Sequence, residues 1–156
     1  MERTDKRLRL CAVLLICNIA FIWGNSLMNA EVSGAISGFV KDILNRIFGW
    51  FSSSGEDMLS GDGVLRKIAH FLEFTSLGAL LRWLFGMLQK KDWYALACGT
   101  MIACIDETIQ MFVPERGPGI KDVGIDTCGV LFGMFLLYLG HTYYVRKKRK
   151  SLEDEE

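Results

Sequence analysis

Between Leu10 and Trp23 the chain offers one polar amide, Asn18, in an otherwise apolar run. A helix through this run has no polar face to turn toward water, as the surface helix of a soluble bundle needs. Three more apolar blocks follow, so the set covers residues 10–28, 64–88, 93–113 and 123–144. Each is roughly 19 to 25 residues, long enough at about 1.5 Å per residue to cross a hydrocarbon core of about 30 Å. The averages hide this pattern, since 51% hydrophobic and 23% charged residues would suit a soluble domain. The alternative of four long core helices in water fails on the first block. The expectation is an all-α, polytopic membrane protein with four transmembrane helices, forming one domain over residues 1–156.

Basic residues precede the first block, as in a secretory signal peptide. The block is longer than a usual signal core, and Met28-Asn29-Ala30 is a poor cleavage site. It is therefore expected to remain as a span. Lysine and arginine then set the orientation. Arg3, Lys6, Arg7 and Arg9 precede span one, Lys90 and Lys91 join spans two and three, and Arg146 to Lys150 follow span four. With four spans these three places share a side, which predicts both termini in the cytoplasm and a charged cytoplasmic tail over 146–156. Arg82 can snorkel to the same interface. A net charge of zero gives no basic excess for phosphates, so nucleic acid is not an expected partner. Across this topology, neutrality is a basic inner side cancelling an acidic outer one.

The longer outer loop carries Val32, Ile36, Phe39, Val40, Ile43, Ile47, Trp50 and Phe51 at spacings of three and four. That pattern predicts an extracytoplasmic amphipathic helix over about 31–51, on the interface or over the bundle. The five cysteines lie in or beside spans, are odd in number and make no Cys-x-x-Cys pair. They form neither a disulfide framework nor a zinc site and read as apolar filler.

The informative residues are polar groups inside spans. Arg66, His70 and Glu73 share one face of span two at i, i+4 and i+7. Span three carries Asp106, Glu107 and Gln110 near its outer end, Arg116 follows in the loop, and Asp122 and Asp126 open span four. Asp122, Asp126, Gly129 and Gly133 form one stripe, whose glycines let another helix approach closely. An ionised carboxylate within a span costs about 2.5 to 3.5 kcal/mol on insertion scales, so several together must pair or face water. Arg66, Lys67, Arg116 and Lys121 are the available counter-charges.

Two readings of this layer stand. It is an ion-pair network that only holds four helices in register, or it is an outward polar cavity that binds something. For a cavity, the ligand-binding candidates are Arg66, Lys67, His70, Glu73, Asp106, Glu107, Gln110, Arg116, Asp122 and Asp126. Arg116 and its basic neighbours would clamp a phosphate or carboxylate headgroup. If the protein is an enzyme, Glu73 or Glu107 is the general acid or base, with His70 and Asp106 assisting. No cofactor is expected. A divalent metal is the one that the donors would admit, through His70, Glu73, Asp106, Glu107, Asp122 and Asp126, a diffuse ligand set.

Three ordered motifs resemble the VanZ-like family of bacterial membrane proteins. They are Arg66-Lys67-x-x-His70-Phe71-x-Glu73-Phe74-x-x-Leu77-Gly78, Asp106-Glu107-x-x-Gln110-x-Phe112-x-Pro114-x-Arg116 and Asp122-x-x-x-Asp126-x-x-Gly129-x-x-x-Gly133. The resemblance covers about residues 64–134, and position 126 is commonly asparagine in that family. It implies a multi-pass protein of the bacterial cytoplasmic membrane with a cell-envelope role. One family member confers low-level teicoplanin resistance without altering the peptidoglycan stem peptide. Expected partners are membrane lipids, lipid-linked cell-wall intermediates or the lipoglycopeptide antibiotic itself, and a homo-oligomer remains open. The competing function is an intramembrane hydrolase or transferase acting on a lipid-linked substrate. A transporter lacks support because four spans show no inverted repeat.

Overall fold

The computed structural model describes residues 2–27, 62–114 and 119–153. The expected amphipathic helix at 31–51 and Arg116 lie outside them. The described residues form four α-helices and no strand: α1 (Glu2–Ser26), α2 (Asp62–Met87), α3 (Asp92–Gln110) and α4 (Ile120–Glu153).

Cross-helix contacts fix the directions. Cys11 reaches Leu80, Asn18 reaches Ser76 and Asn25 reaches Glu73, so α1 and α2 are antiparallel. His70 faces Asp106 while Arg82 meets Asp92, so α2 and α3 are antiparallel too. Along α4, Gly129 lies against Phe71 and Gly133 against Thr75, so α2 and α4 run parallel. The result is an up-down-up-down bundle. The start of α1, the α2–α3 turn and the basic end of α4 lie at one end of it, and the acidic layer lies toward the other.

The core is built from Phe74, Leu77 and Leu81 of α2, Val130 and Met134 of α4, Ala95, Ile102 and Ala103 of α3, and Ile22 of α1. The glycines of α2 and α4 set how closely these helices cross. A Cβ on Gly129 would stand 2.6 Å from the Phe71 carbonyl oxygen. One on Gly133 would overlap the Thr75 carbonyl, and one on Gly78 that of Val130. Backbone meets backbone, an approach that only residues without a Cβ allow.

Among the described residues two helices, over Thr4–Ser26 and Ile120–Glu153, are long and apolar enough to cross a membrane. Only 11% of the first apolar stretch and 28% of the second are buried, unlike the core helices of a soluble bundle. Leu10, Val13, Ile16 and Phe21 of α1, and Leu131, Phe135 and Leu139 of α4, point outward. The other two helices carry Glu73 and Arg82, or Asp92, Asp106 and Glu107, which lower their mean hydropathy.

Helix ends depart from the apolar blocks in instructive ways. α3 stops at Gln110, where Phe112 and Val113 donate to the Ile109 and Gln110 carbonyls in a tight turn before Pro114. α4 runs on through the basic tail, because lysine and arginine are good helix formers. Arg82 does more than snorkel: it pairs with Asp92 at 2.8 Å, donates to the Met134 carbonyl at 2.9 Å and stacks over Tyr138. At the end of α2, Lys90 donates to Phe85 and Gln89 to Gly86, the paired bonds of a Schellman motif. Its left-handed residue is Gln89, at φ 54°, where glycine is favoured.

Two stability predictions follow from these contacts. Gly133→Ala overpacks a backbone crossing and should cost about 1–3 kcal/mol. Gly140→Ala, with open space around its Cβ, should not destabilise, and thermal unfolding in detergent compares the two. Gln89→Gly relieves a left-handed conformation that costs an L-residue about 1–2 kcal/mol, and should raise the unfolding temperature.

Candidate functional site

α2, α3 and α4 each deliver polar side chains to the end of the bundle away from the Arg82–Asp92 pair. On α2, His70 lies one turn beyond Arg66 and looks across at both neighbours. Its Nδ1 stands 3.7 Å from Asp106 Oδ2 on α3 and 3.8 Å from Asp126 Oδ1 on α4. The His70 side chain is 12% exposed, Asp106 is fully buried and Asp126 is 1% exposed. The stripe of Asp122, Asp126, Gly129 and Gly133 faces α2, so the glycine crossing sets the distance between His70 and Asp126.

Donors for the carboxylates come from other elements of the bundle and from the chain nearby. Gln110, one turn after Asp106, donates to Asp106 Oδ2 at 2.8 Å and to the Ser26 hydroxyl at 3.3 Å. Asn25 donates to Glu73 Oε1 at 2.7 Å. The backbone N–H of Gly119, just before α4, donates to Glu107 Oε2 at 3.0 Å. Lys67 lies 3.8 Å from Asp122 Oδ1, with both side chains partly exposed. Basic residues are the counter-charges expected from sequence, but amides and a backbone N–H hold Glu73, Asp106 and Glu107. Amides provide it at lower cost, because a buried cation brings its own desolvation penalty.

Asp126 differs from its neighbours. Neither of its oxygens has a hydrogen-bond partner, and Asp106 Oδ1 also lacks one. Beside it lies a cavity of about 10 Å³, with Arg66, Lys67, His70, Glu107, Asp122 and Asp126 among its lining residues. That volume is room for about one water molecule and excludes a lipid headgroup from the interior. Arg66 and Lys67 stand at its more exposed rim.

The structure thus brings together His70, Asp106 and Asp126, sets Arg66, Lys67, Glu107, Gln110 and Asp122 around them, and turns Glu73 toward α1. The contribution of α1 was missed from the sequence. Asn18 stands in an otherwise apolar run, yet Asn25 lies seven residues further on the same face, and Ser26 follows it. All five cysteines are free, and only Cys11 and Cys98 are covered enough to act as filler. Removing the Asn25 amide should leave a half-buried carboxylate oxygen short of its donor. Asn25→Ala is expected to cost about 1–3 kcal/mol of stability, and Glu73→Gln introduced beside it should recover part of that loss in a double-mutant cycle.

Comparison with known proteins gives one match. The family model described as VanZ/LLP1 covers residues 11–141, which include most of α1, all of α2 and α3 and most of α4. No curated protein and no solved structure matches the chain.

Proposed function

The chain belongs to the VanZ/LLP1 family of membrane proteins, and from that premise we propose that it acts at the bacterial cell envelope by engaging an anionic lipid headgroup. The role is VanZ-like and related to teicoplanin resistance. The ligand is an anionic membrane lipid, a lipid-linked wall intermediate or the lipid-bearing antibiotic, whose shared feature is an anionic group held at a membrane surface. The observation that carries this reading is the convergence of buried charge from three helices at one end of a bundle with an apolar exterior. Intramembrane ionisable clusters mark function by default.

Two supports concern topology. At 26 and 19 residues, α2 and α3 are long enough to span, and they carry their charges at helix ends or toward the bundle. The alternation of the four helices puts every strongly basic segment at one end, which the charge rule assigns to the cytoplasm. All four helices then span, both termini are cytoplasmic and the His70 layer opens outward. Because the inner cavity is too small, the headgroup sits at the rim against Arg66 and Lys67, with the buried carboxylates fixing that rim. Nucleic acid has no place in this arrangement.

Expression of the chain in a susceptible bacterium should raise the inhibitory concentration of teicoplanin more than that of vancomycin. Glu73→Ala, Asp106→Ala and Glu107→Ala, tested singly at equal membrane abundance, should each abolish the protection. Retained protection in all three would sink the proposal. The second reading, an intramembrane hydrolase or transferase, is favoured by His70 Nδ1 lying within 4 Å of two buried carboxylates, a base-and-orienter arrangement. Turnover of a polyprenyl-phosphate lipid by purified protein would replace the binding role with that one.

A further inference from the structure

We infer that His70, Asp106 and Asp126 together bind a single divalent cation of the zinc or manganese class. One ligand atom from each residue lies within 4.8 Å of the others, and the three come from three different helices. His70 Nδ1 is 3.7 Å from Asp106 Oδ2 and 3.8 Å from Asp126 Oδ1. These separations are too long for hydrogen bonds. They are close to the spacing of two donors on one ion, since ligands about 2.1 Å from a tetrahedral zinc stand about 3.4 Å apart. A few tenths of an ångström of side-chain adjustment would close the shell.

Burial gives a second, independent indication. Asp126 is 1% exposed, yet neither of its carboxylate oxygens has a hydrogen-bond partner. Of its four acidic neighbours, Glu73, Asp106 and Glu107 each take a donor from an amide or a backbone N–H and Asp122 lies 3.8 Å from Lys67, so Asp126 stands apart among them. A carboxylate so placed needs an acceptor of its lone pairs, and a cation is one. Two carboxylates cancel the charge of a dication, which makes the group neutral where charge is expensive. One imidazole nitrogen with carboxylate oxygens is a donor set for zinc or manganese and lacks the thiolates that softer ions select. Gln110 supplies the outer shell, donating to Asp106 while also reaching Ser26 of α1. The adjoining cavity of about 10 Å³ has room for a water as a further ligand.

The site rests on these three side chains and stands whether or not a headgroup binds at the rim. Its test therefore uses metal and no lipid. The metal-stripped full chain in nanodiscs is titrated calorimetrically with Zn²⁺ and, separately, with Mn²⁺. Wild type should take up about one equivalent of at least one of them, and His70→Gln and Asp126→Asn should each weaken that binding at least tenfold. Helical circular dichroism and elution as a single species check that both variants are folded. Because a variant that unfolds would also lose metal, Mn²⁺-loaded wild type is examined by pulsed electron paramagnetic resonance. Modulation from an imidazole ¹⁴N is expected. The proposal is overturned if wild type binds neither ion stoichiometrically, if either folded variant binds within tenfold of wild type, or if bound Mn²⁺ shows no nitrogen modulation.

Discussion

The crossing of α2 and α4 through glycine is the contact on which the remaining geometry depends. Gly129 and Gly133 let α4 lie directly on the Phe71 and Thr75 carbonyls, and Gly78 returns the favour toward Val130. Asp126 is one turn from Gly129, and His70 is adjacent to Phe71. The 3.8 Å between them is therefore a consequence of backbone distance and owes little to side-chain reach. Any Cβ at the crossing would push the helices apart by more than a polar contact tolerates. Packing and site chemistry are thus one feature here, and the same stripe of α4 carries both the glycines and the aspartates.

Close packing also creates the electrostatic problem that the rest of the layer addresses. Five carboxylates at one end of a bundle with an apolar exterior repel one another and lose hydration. Each neighbouring element contributes to relieving this: Asn25 from α1, Gln110 from α3 (its amide also donating to the Ser26 hydroxyl of α1), the Gly119 N–H at the entry to α4 and Lys67 from α2. Neutral donors orient a carboxylate without requiring that a second charge be buried, and they leave its negative charge in place. The layer therefore stays acidic inside and is basic only at the Arg66–Lys67 rim.

The sequence showed the helices and the depth of the charged layer, because apolar blocks and charge positions along a helix are properties of the chain alone. Helix ends were less legible. The apolar criterion marks what suits lipid, so it missed that α1 begins at Glu2 and that α4 continues to Glu153. It also ran past the turn at Met111. The face shared by Asp122, Asp126, Gly129 and Gly133 could be read from a 3.6-residue period, yet the identity of the helix it meets could not. Partner choice depends on the rotation of each helix and on rotamers, which are tertiary. That is why Glu73, expected to point with His70, turns to Asn25, and why Asp126 came to stand apart only in three dimensions.

An interior with more carboxylates than cations opposes a headgroup at the rim. The cavity lining sets two cations, Arg66 and Lys67, against Glu107, Asp122 and Asp126, with Asp106 behind them. Within a low-dielectric bundle, charges a few ångströms apart are weakly screened, so this balance disfavours the approach of a phosphate. A dication held by His70, Asp106 and Asp126 would cancel this excess of negative charge and leave Arg66 and Lys67 available to an incoming anion. Bound metals often dominate the local field in this way. Metal binding in the layer and headgroup binding at its rim are then linked through electrostatics while remaining separately measurable. The metal neutralises the carboxylates that the glycine crossing brings together, and that neutralisation is what would let a basic rim act on a lipid.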